Sequence, residues 1–302
     1  MFTYFRLPVG PFRLAKSTAR GIMEDDCDVL AAALAFYFFL SLFPALIFGV
    51  ALLGFLPIQG SIQPMLDRLS QVAPKEVVTI IEGQLRQVMQ GGGSRGLLTF
   101  GMIATIWSSS SALVAIIDTL NKVYGIEESR PWWKVRGLAI LLTIGITLFT
   151  LLALTLVLVG PVVANWLDTA LEAGSTFIIA WQVFRWAAAF LLASIGIGIV
   201  YNFGPDAETK WVWLTPGSLL ATTLWILGSL GFSIYVAYFG NYNATYGTIG
   251  GIIVLLLWFY ISGFSILAGA ELDSKIDEAV IEKKQLPRGT MRRRIGAALE
   301  HS

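Results

Sequence analysis

Charged residues are missing from this chain in long blocks, and those blocks divide it. From Trp211 to Ala270 sixty consecutive residues pass without an Asp, Glu, Lys, Arg or His. About 20 apolar residues carry a helix across a bilayer core, so this stretch predicts two crossings, at roughly 211–239 and 245–271. Between them lies Gly240-Asn241-Tyr242-Asn243, where Gly and Asn supply turn-compatible backbone. The same reading predicts four earlier crossings. The first covers about 29–56, with Asp28 as N-cap, Pro57 as the stop and a kink expected at Pro44. The second covers about 97–120, the third about 137–160, ending at Gly160-Pro161, and the fourth about 182–203, ending at Gly204-Pro205.

Two further segments alternate differently. In 57–96 apolar Leu66, Leu69, Val72, Val77, Ile80, Ile81 and Leu85 are interleaved with Asp67, Arg68, Lys75, Glu76, Glu82 and Arg86. That spacing predicts two short amphipathic helices, too polar to span, lying on the membrane surface. Residues 162–180, with Asp168 and Glu172, are expected to be interfacial as well. The predicted fold class is therefore all-α, a polytopic membrane protein of six transmembrane helices with amphipathic helices on the outer face. Its expected parts are a cytoplasmic segment 1–28, a membrane domain 29–272 with the insertion 57–96, and a basic tail 273–302.

Composition agrees. Charged residues are 14% and hydrophobic ones 56% of 302 residues, against about 25% charge in soluble domains. One cysteine, Cys27, excludes an internal disulfide framework, and the lone His301 sits in a terminal Leu299-Glu300-His301-Ser302 of tag-like character. No catalytic, cofactor-binding or metal-ligating residue is predicted. Lys and Arg number 4, 4, 1 and 7 in residues 1–28, 121–136, 204–210 and beyond 271, and 4, 0 and 0 in 57–96, 161–180 and 240–244. The bias of sixteen to four places both termini in the cytoplasm by the positive-inside rule. The cluster Lys283, Lys284, Arg288 and Arg292–Arg294 is read as topogenic or lipid-attracted, not as a nucleic-acid site.

Polar residues within the apolar blocks are the functional candidates. Ser109, inside Ser108–Ser111, is either part of a polar wall or a small packing residue bonded to its own backbone. Arg185, between Trp181 and Trp186, is either an interfacial anchor or a buried functional charge. Asp28, Asp118, Asn121 and Glu271 fall at the cytoplasmic ends of spans and could cluster with Lys122 or Arg136; Tyr242, Asn243 and Tyr246 fall at the opposite level. Gly247 and Gly251 have the GxxxG spacing of closely packed helices.

These residues also resemble a known family. Asp28 with Ala31–Tyr37, Ser41-Leu42-Phe43-Pro44, Asn121–Gly125, Tyr242-Asn243-Ala244-Thr245-Tyr246-Gly247 and the run from Trp258 to Glu271-Leu272 are similar to the YihY/BrkB family over about residues 21–275. The resemblance implies an inner-membrane protein of six helices. It points to Asp28, Asn121, Tyr242, Asn243, Tyr246, Gly247 and Glu271 as motif positions. Similar proteins once carried the label ribonuclease BN, and others are linked to envelope integrity, serum resistance and lipid export. The leading expectation is a transporter or flippase-like exporter of a lipid or other amphiphile, with membrane lipids as partners, no nucleic acid, and a homo-oligomer left open. The alternative is a non-transporting envelope-integrity or assembly factor. A ribonuclease is not expected, because hydrolysis needs metal ligands or an acid/base pair and no such spacing is present.

Overall fold

The computed structural model describes residues 10–54, 106–171, 174–207, 212–239 and 242–283, and among them every regular element is a helix. In chain order these are α1 Pro11–Glu24, α2 Cys27–Gly54, α3 Ser111–Val123, α4 Trp132–Leu171, α5 Gly174–Phe203, α6 Pro216–Phe239 and α7 Tyr242–Lys283. Four of them contain segments long and apolar enough to cross a membrane: Trp132–Val157, Thr176–Phe203, Pro216–Val236 and Gly250–Val280. These carry the third to sixth expected crossings. The first expected crossing coincides with α2, where Cys27–Leu42 is apolar and the helix continues through Pro44. The second, and the amphipathic insertion 57–96, fall partly or wholly outside the described residues.

The chain divides into two compact units, one of residues 37–112 and one of 1–36 with 113–302. Within the larger unit α4 packs on α5, α5 on α6, α6 on α7, and α1 on α7. The faces left over are apolar. Leu141, Ile144, Leu148 and Leu152 form an exposed stripe on α4, Leu227, Leu230 and Ile234 another on α6. Such spacing puts each set on one helical face, and in water it would be a large exposed apolar patch. Lipid is the solvent that suits it.

Between helices, contact is made by small residues and single hydrogen bonds, as expected where oil against oil supplies no hydrophobic drive. α6 and α7 touch backbone to backbone at Gly217 and Gly269: a Cβ on Gly217 would meet the Gly269 carbonyl, and one on Gly269 would lie 2.7 Å from Ala221 Cβ. The close-approach glycines are thus these, and not Gly251, around which a Cβ would meet open space. Ser194 Oγ donates to Thr222 Oγ1 at 3.0 Å between α5 and α6, and Trp225 Nε1 donates to Ser262 Oγ at 3.0 Å between α6 and α7. Each bond of this kind contributes on the order of 0.6 kcal/mol.

Two boundaries differ from those expected. α4 does not stop at Gly160-Pro161 but continues to Leu171, and α5 begins at Gly174, so 162–171 and 174–180, expected in an interfacial segment, lie within these two long helices. Pro161 lacks an N–H and leaves the Val157 carbonyl without its helical donor; Arg185 of α5 supplies one instead, Nη1 to Val157 O at 3.4 Å. The second difference is α1. Pro11 opens it, and Leu14, Thr18 and Gly21, at helical spacing, bury one face against the chain.

Candidate functional site

The polar candidates of the larger unit converge at one end of the helices. Asn121 lies in the last turn of α3, which ends where Gly125 adopts φ 60°. There the Gly125 N–H donates to Lys122 O at 2.9 Å and the Ile126 N–H to Asn121 O at 2.8 Å. That turn brings Glu128 back to Asn121, whose Nδ2 donates to Glu128 Oε2 at 2.8 Å. Arg130 grips the same carboxylate with two bonds, Nε to Oε1 and Nη2 to Oε2, both 2.7 Å. Its Nη2 also donates to Gly204 O at 2.8 Å and its Nη1 to Phe203 O at 3.4 Å, so one guanidinium satisfies carbonyls at the end of α5. Asp206 completes the knot. Its N–H donates to Asn121 Oδ1 at 2.9 Å, and its carboxylate accepts the Ser129 N–H at 2.9 Å and the Ser129 hydroxyl.

Charges in this knot are matched. Partial burial pushes the Glu128 carboxyl up, but the bonds from Arg130 and Asn121 and the Arg130 charge outweigh it and hold Glu128 below the usual carboxylate range. The bond to Glu128 correspondingly raises Arg130. The arrangement fixes a turn.

Beside it, α7 carries a second polar group. Glu271 is 0% exposed, its Oε1 lying over Gly21 of α1 where a Cβ would stand. Lys275, one turn on, brings Nζ to 3.4 Å from that oxygen and also reaches Glu278 at 3.2 Å. Asp25, just past the end of α1, also lies beside the Glu271 carboxylate, whose oxygens are otherwise without a hydrogen-bond partner among the described residues. Asp273 Oδ1 accepts the Gly217 N–H at 2.8 Å and caps the start of α6, where Thr215 and Ser218 also cap each other, N–H to hydroxyl, at 3.1 and 3.0 Å. Ser274 Oγ donates to Val123 O at 3.2 Å, which joins this group to the end of α3.

Asn121 and Glu271 therefore do share one end, but not one cluster. The cation beside Glu271 is Lys275, where Lys122 or Arg136 was expected, because Lys275 lies one helical turn along the same helix while Lys122 is exposed. Asp28 and Asp118 are exposed residues. Ser109, in the unit 37–112, is half-buried and its hydroxyl has no partner among the described residues, while its neighbour Ser110 donates to its own helix at Trp107 O, 2.8 Å. Tyr242, Asn243, Tyr246 and Gly247 fall in the first turns of α7, and their side chains lie outside the described residues. Arg185 is buried between α4 and α5, 6% exposed. Glu128, Arg130, Asp206, Gly21 and Lys275 were not predicted. Glu128 and Arg130 could have been read from the turn at Gly125; the partnership with Asp206 spans 77 residues and leaves no mark in the sequence. Among the described residues no three His, Cys, Asp or Glu side chains gather in a way that could hold a metal ion.

Comparison with known proteins places this architecture. A family profile described as Virulence factor BrkB matches residues 18–293, nearly the whole chain. The chain belongs to the BrkB family. YfkH of Bacillus subtilis, whose name describes it as ribonuclease-like, is 37% identical over 85% of this chain and 91% of its own length. The UPF0761 membrane protein of Pseudoalteromonas translucida is 25% identical over 86% of this chain and 84% of its own. That of Delftia acidovorans is 26% identical over 93% of this chain but 66% of its own length, so the BrkB relatives include longer proteins. No solved structure matches. This BrkB-family chain is a membrane protein, as its apolar helices require.

Proposed function

We propose that this BrkB-family protein forms a path by which a lipid or other amphiphile crosses the bacterial inner membrane, with both termini in the cytoplasm. The observation that carries the reading is Glu271, a carboxylate with no exposed surface on a helix whose residues 250–280 are apolar enough to span. Burying a carboxylate at the end of a span is costly even with Lys275 beside it, and ionisable residues kept buried next to the membrane are candidates for lining a substrate path. α1 lies across Glu271 through Gly21, so access to the carboxylate from the cytoplasmic end depends on the α1–α7 contact. Asn121, Asp28 and Asp118 at the same end, and Tyr242, Asn243, Tyr246 and Gly247 at the other, form the polar mouths in this reading.

A second reading, an assembly factor that transports nothing, is favoured by α1 itself. Phe12 and Met23 are 84% and 71% exposed there, beside Arg13, Lys16 and Arg20, a surface suited to a partner. RNA hydrolysis is not part of either reading. Purified protein in liposomes containing dye-labelled phospholipids and osmolytes separates the two. Protein-dependent movement of at least one probe, reduced about tenfold by Glu271→Gln, supports the path. No movement across the whole panel leaves the assembly role.

A further inference from the structure

Arg185 stands apart from every other cation of the described chain. Its side chain is 6% exposed, yet no carboxylate among the described residues lies within ion-pair distance. A buried guanidinium without a counter-charge is expensive, and helices that keep one generally give it an anion. The structure shows what holds it in place and what is left unused. Nη1 reaches the Val157 carbonyl that Pro161 cannot bond. Gly160 makes room for the stem, since a Cβ there would stand 2.7 Å from Arg185 Cδ. Trp181 Nε1 donates to Gly160 O at 2.8 Å, and the Trp186 ring lies 5.6 Å from the guanidinium carbon. Nε has no hydrogen-bond partner among the described residues, and none is found there for Nη2. The Nε–Nη2 edge is the one that grips two oxygens at once, in carboxylates and phosphates alike.

Depth says which anion could arrive. Arg185 precedes Phe203, the α5 terminus bound by Arg130, by eighteen residues, about 27 Å of helix and so close to the thickness of a bilayer core. It also faces Val157, where the crossing segment of α4 ends. The apolar segment of α5 begins at Thr176, so the free edge lies inside its far end, opposite the Asn121–Arg130 knot, level with the end of the α4 crossing and between tryptophans, where a long arginine side chain reaches toward lipid headgroups. We infer that Arg185, seated on Gly160 and flanked by Trp181 and Trp186, is a phosphoryl-binding site at this end of α5, gripping the phosphodiester of a phospholipid with Nε and Nη2. The inference names a headgroup chemistry for the lipid path proposed above and rests on it for its purpose, though not for its binding.

Arg185→Lys is the informative variant. Lys keeps the charge and can donate to Val157 O, but it has no two-point edge. Native mass spectrometry of the full chain, released from nanodiscs of phosphatidylglycerol mixed with an uncharged, phosphate-free glycolipid, reads retained lipid directly. Wild-type protein is expected to keep phosphatidylglycerol about tenfold more than Arg185→Lys, with no difference for the glycolipid and melting curves that superimpose. Displacement of the lipid by millimolar inorganic phosphate would assign the same site to a soluble phosphoryl group. Equal phosphatidylglycerol retention by both proteins, with phosphate not binding, overturns the site. If Arg185→Lys melts early, Gly160→Ala, which crowds the stem and keeps the arginine, decides in its place by the same retention ratio. Retention without any lipid movement in liposomes would keep the site and remove the transport reading.

Discussion

At the scale of single residues, the larger unit spends its polar groups on positions where backbone or charge would otherwise go unmet. Arg130 is a clear case: one side chain neutralises Glu128 and closes two carbonyls at the end of α5. Because Glu128 is held below its ordinary range when folded, the pair's contribution is complete above the unfolded carboxylate value of about 4.3 and is lost as pH falls through the lower folded value. Wild type is therefore expected to outlast Glu128→Gln in thermal unfolding at neutral pH, with the gap closing below about pH 4; a gap unchanged into stronger acid would mean the ion pair is not its cause. Gly21 makes the opposite point, that a missing side chain can be the requirement. Any Cβ there collides with the Glu271 carboxylate, so Gly21→Val should cost about 1–3 kcal/mol in detergent unfolding and detach α1, read as faster proteolysis before residue 24.

Among elements, the long uncharged runs were legible because bilayer thickness fixes a length that sequence cannot hide. The starts of α6 at Pro216 and α7 at Tyr242 follow from it to within about five residues, while α5 begins at Gly174, ahead of the expected 182. Three things were less legible. α4 passes through Gly160-Pro161 because a donor 28 residues away replaces the missing one, and local propensity carries no trace of that. α1 was readable in principle, from Leu14, Thr18 and Gly21 at i, i+4 and i+7, but its charges draw attention to the solvent face. α7 continues to Lys283 with Asp273 and Asp277 buried, where the charge pattern suggests a solvated tail from 273. Restoring the donor tests the account of α4. Pro161→Ala should raise stability, by up to about 3 kcal/mol in unfolding assays, since the helix regains its bond to Val157 O. A loss of stability would show that the proline shapes a packing the alanine cannot keep. Between α6 and α7, Gly217→Val should destabilise by at least about 1–3 kcal/mol, because the obstacle is the Gly269 backbone and cannot rotate away.

On the scale of the whole molecule, the account is one of polarity sorted by depth. Charged knots gather at one end of the helices, apolar stripes face outward along them, and Arg185, the one buried arginine among the described residues, lies toward the other end of α5. The motif residues at the start of α7, Tyr242 to Gly247, were legible as a pattern, but what their side chains meet could not be read from spacing alone. The candidate site was half legible for the same reason: Asn121 and Glu271 stood out as polar residues at span ends, while their partners come from distant parts of the chain. The sorting has a direction, and labelling tests it. In a Cys27→Ser background, the exposed Glu127 and, separately, Asn241 are replaced by cysteine and treated with a membrane-impermeant maleimide on intact cells. Asn241→Cys is expected to react at once and Glu127→Cys only after permeabilisation; the reverse order, or both reacting from the same side, would contradict the arrangement.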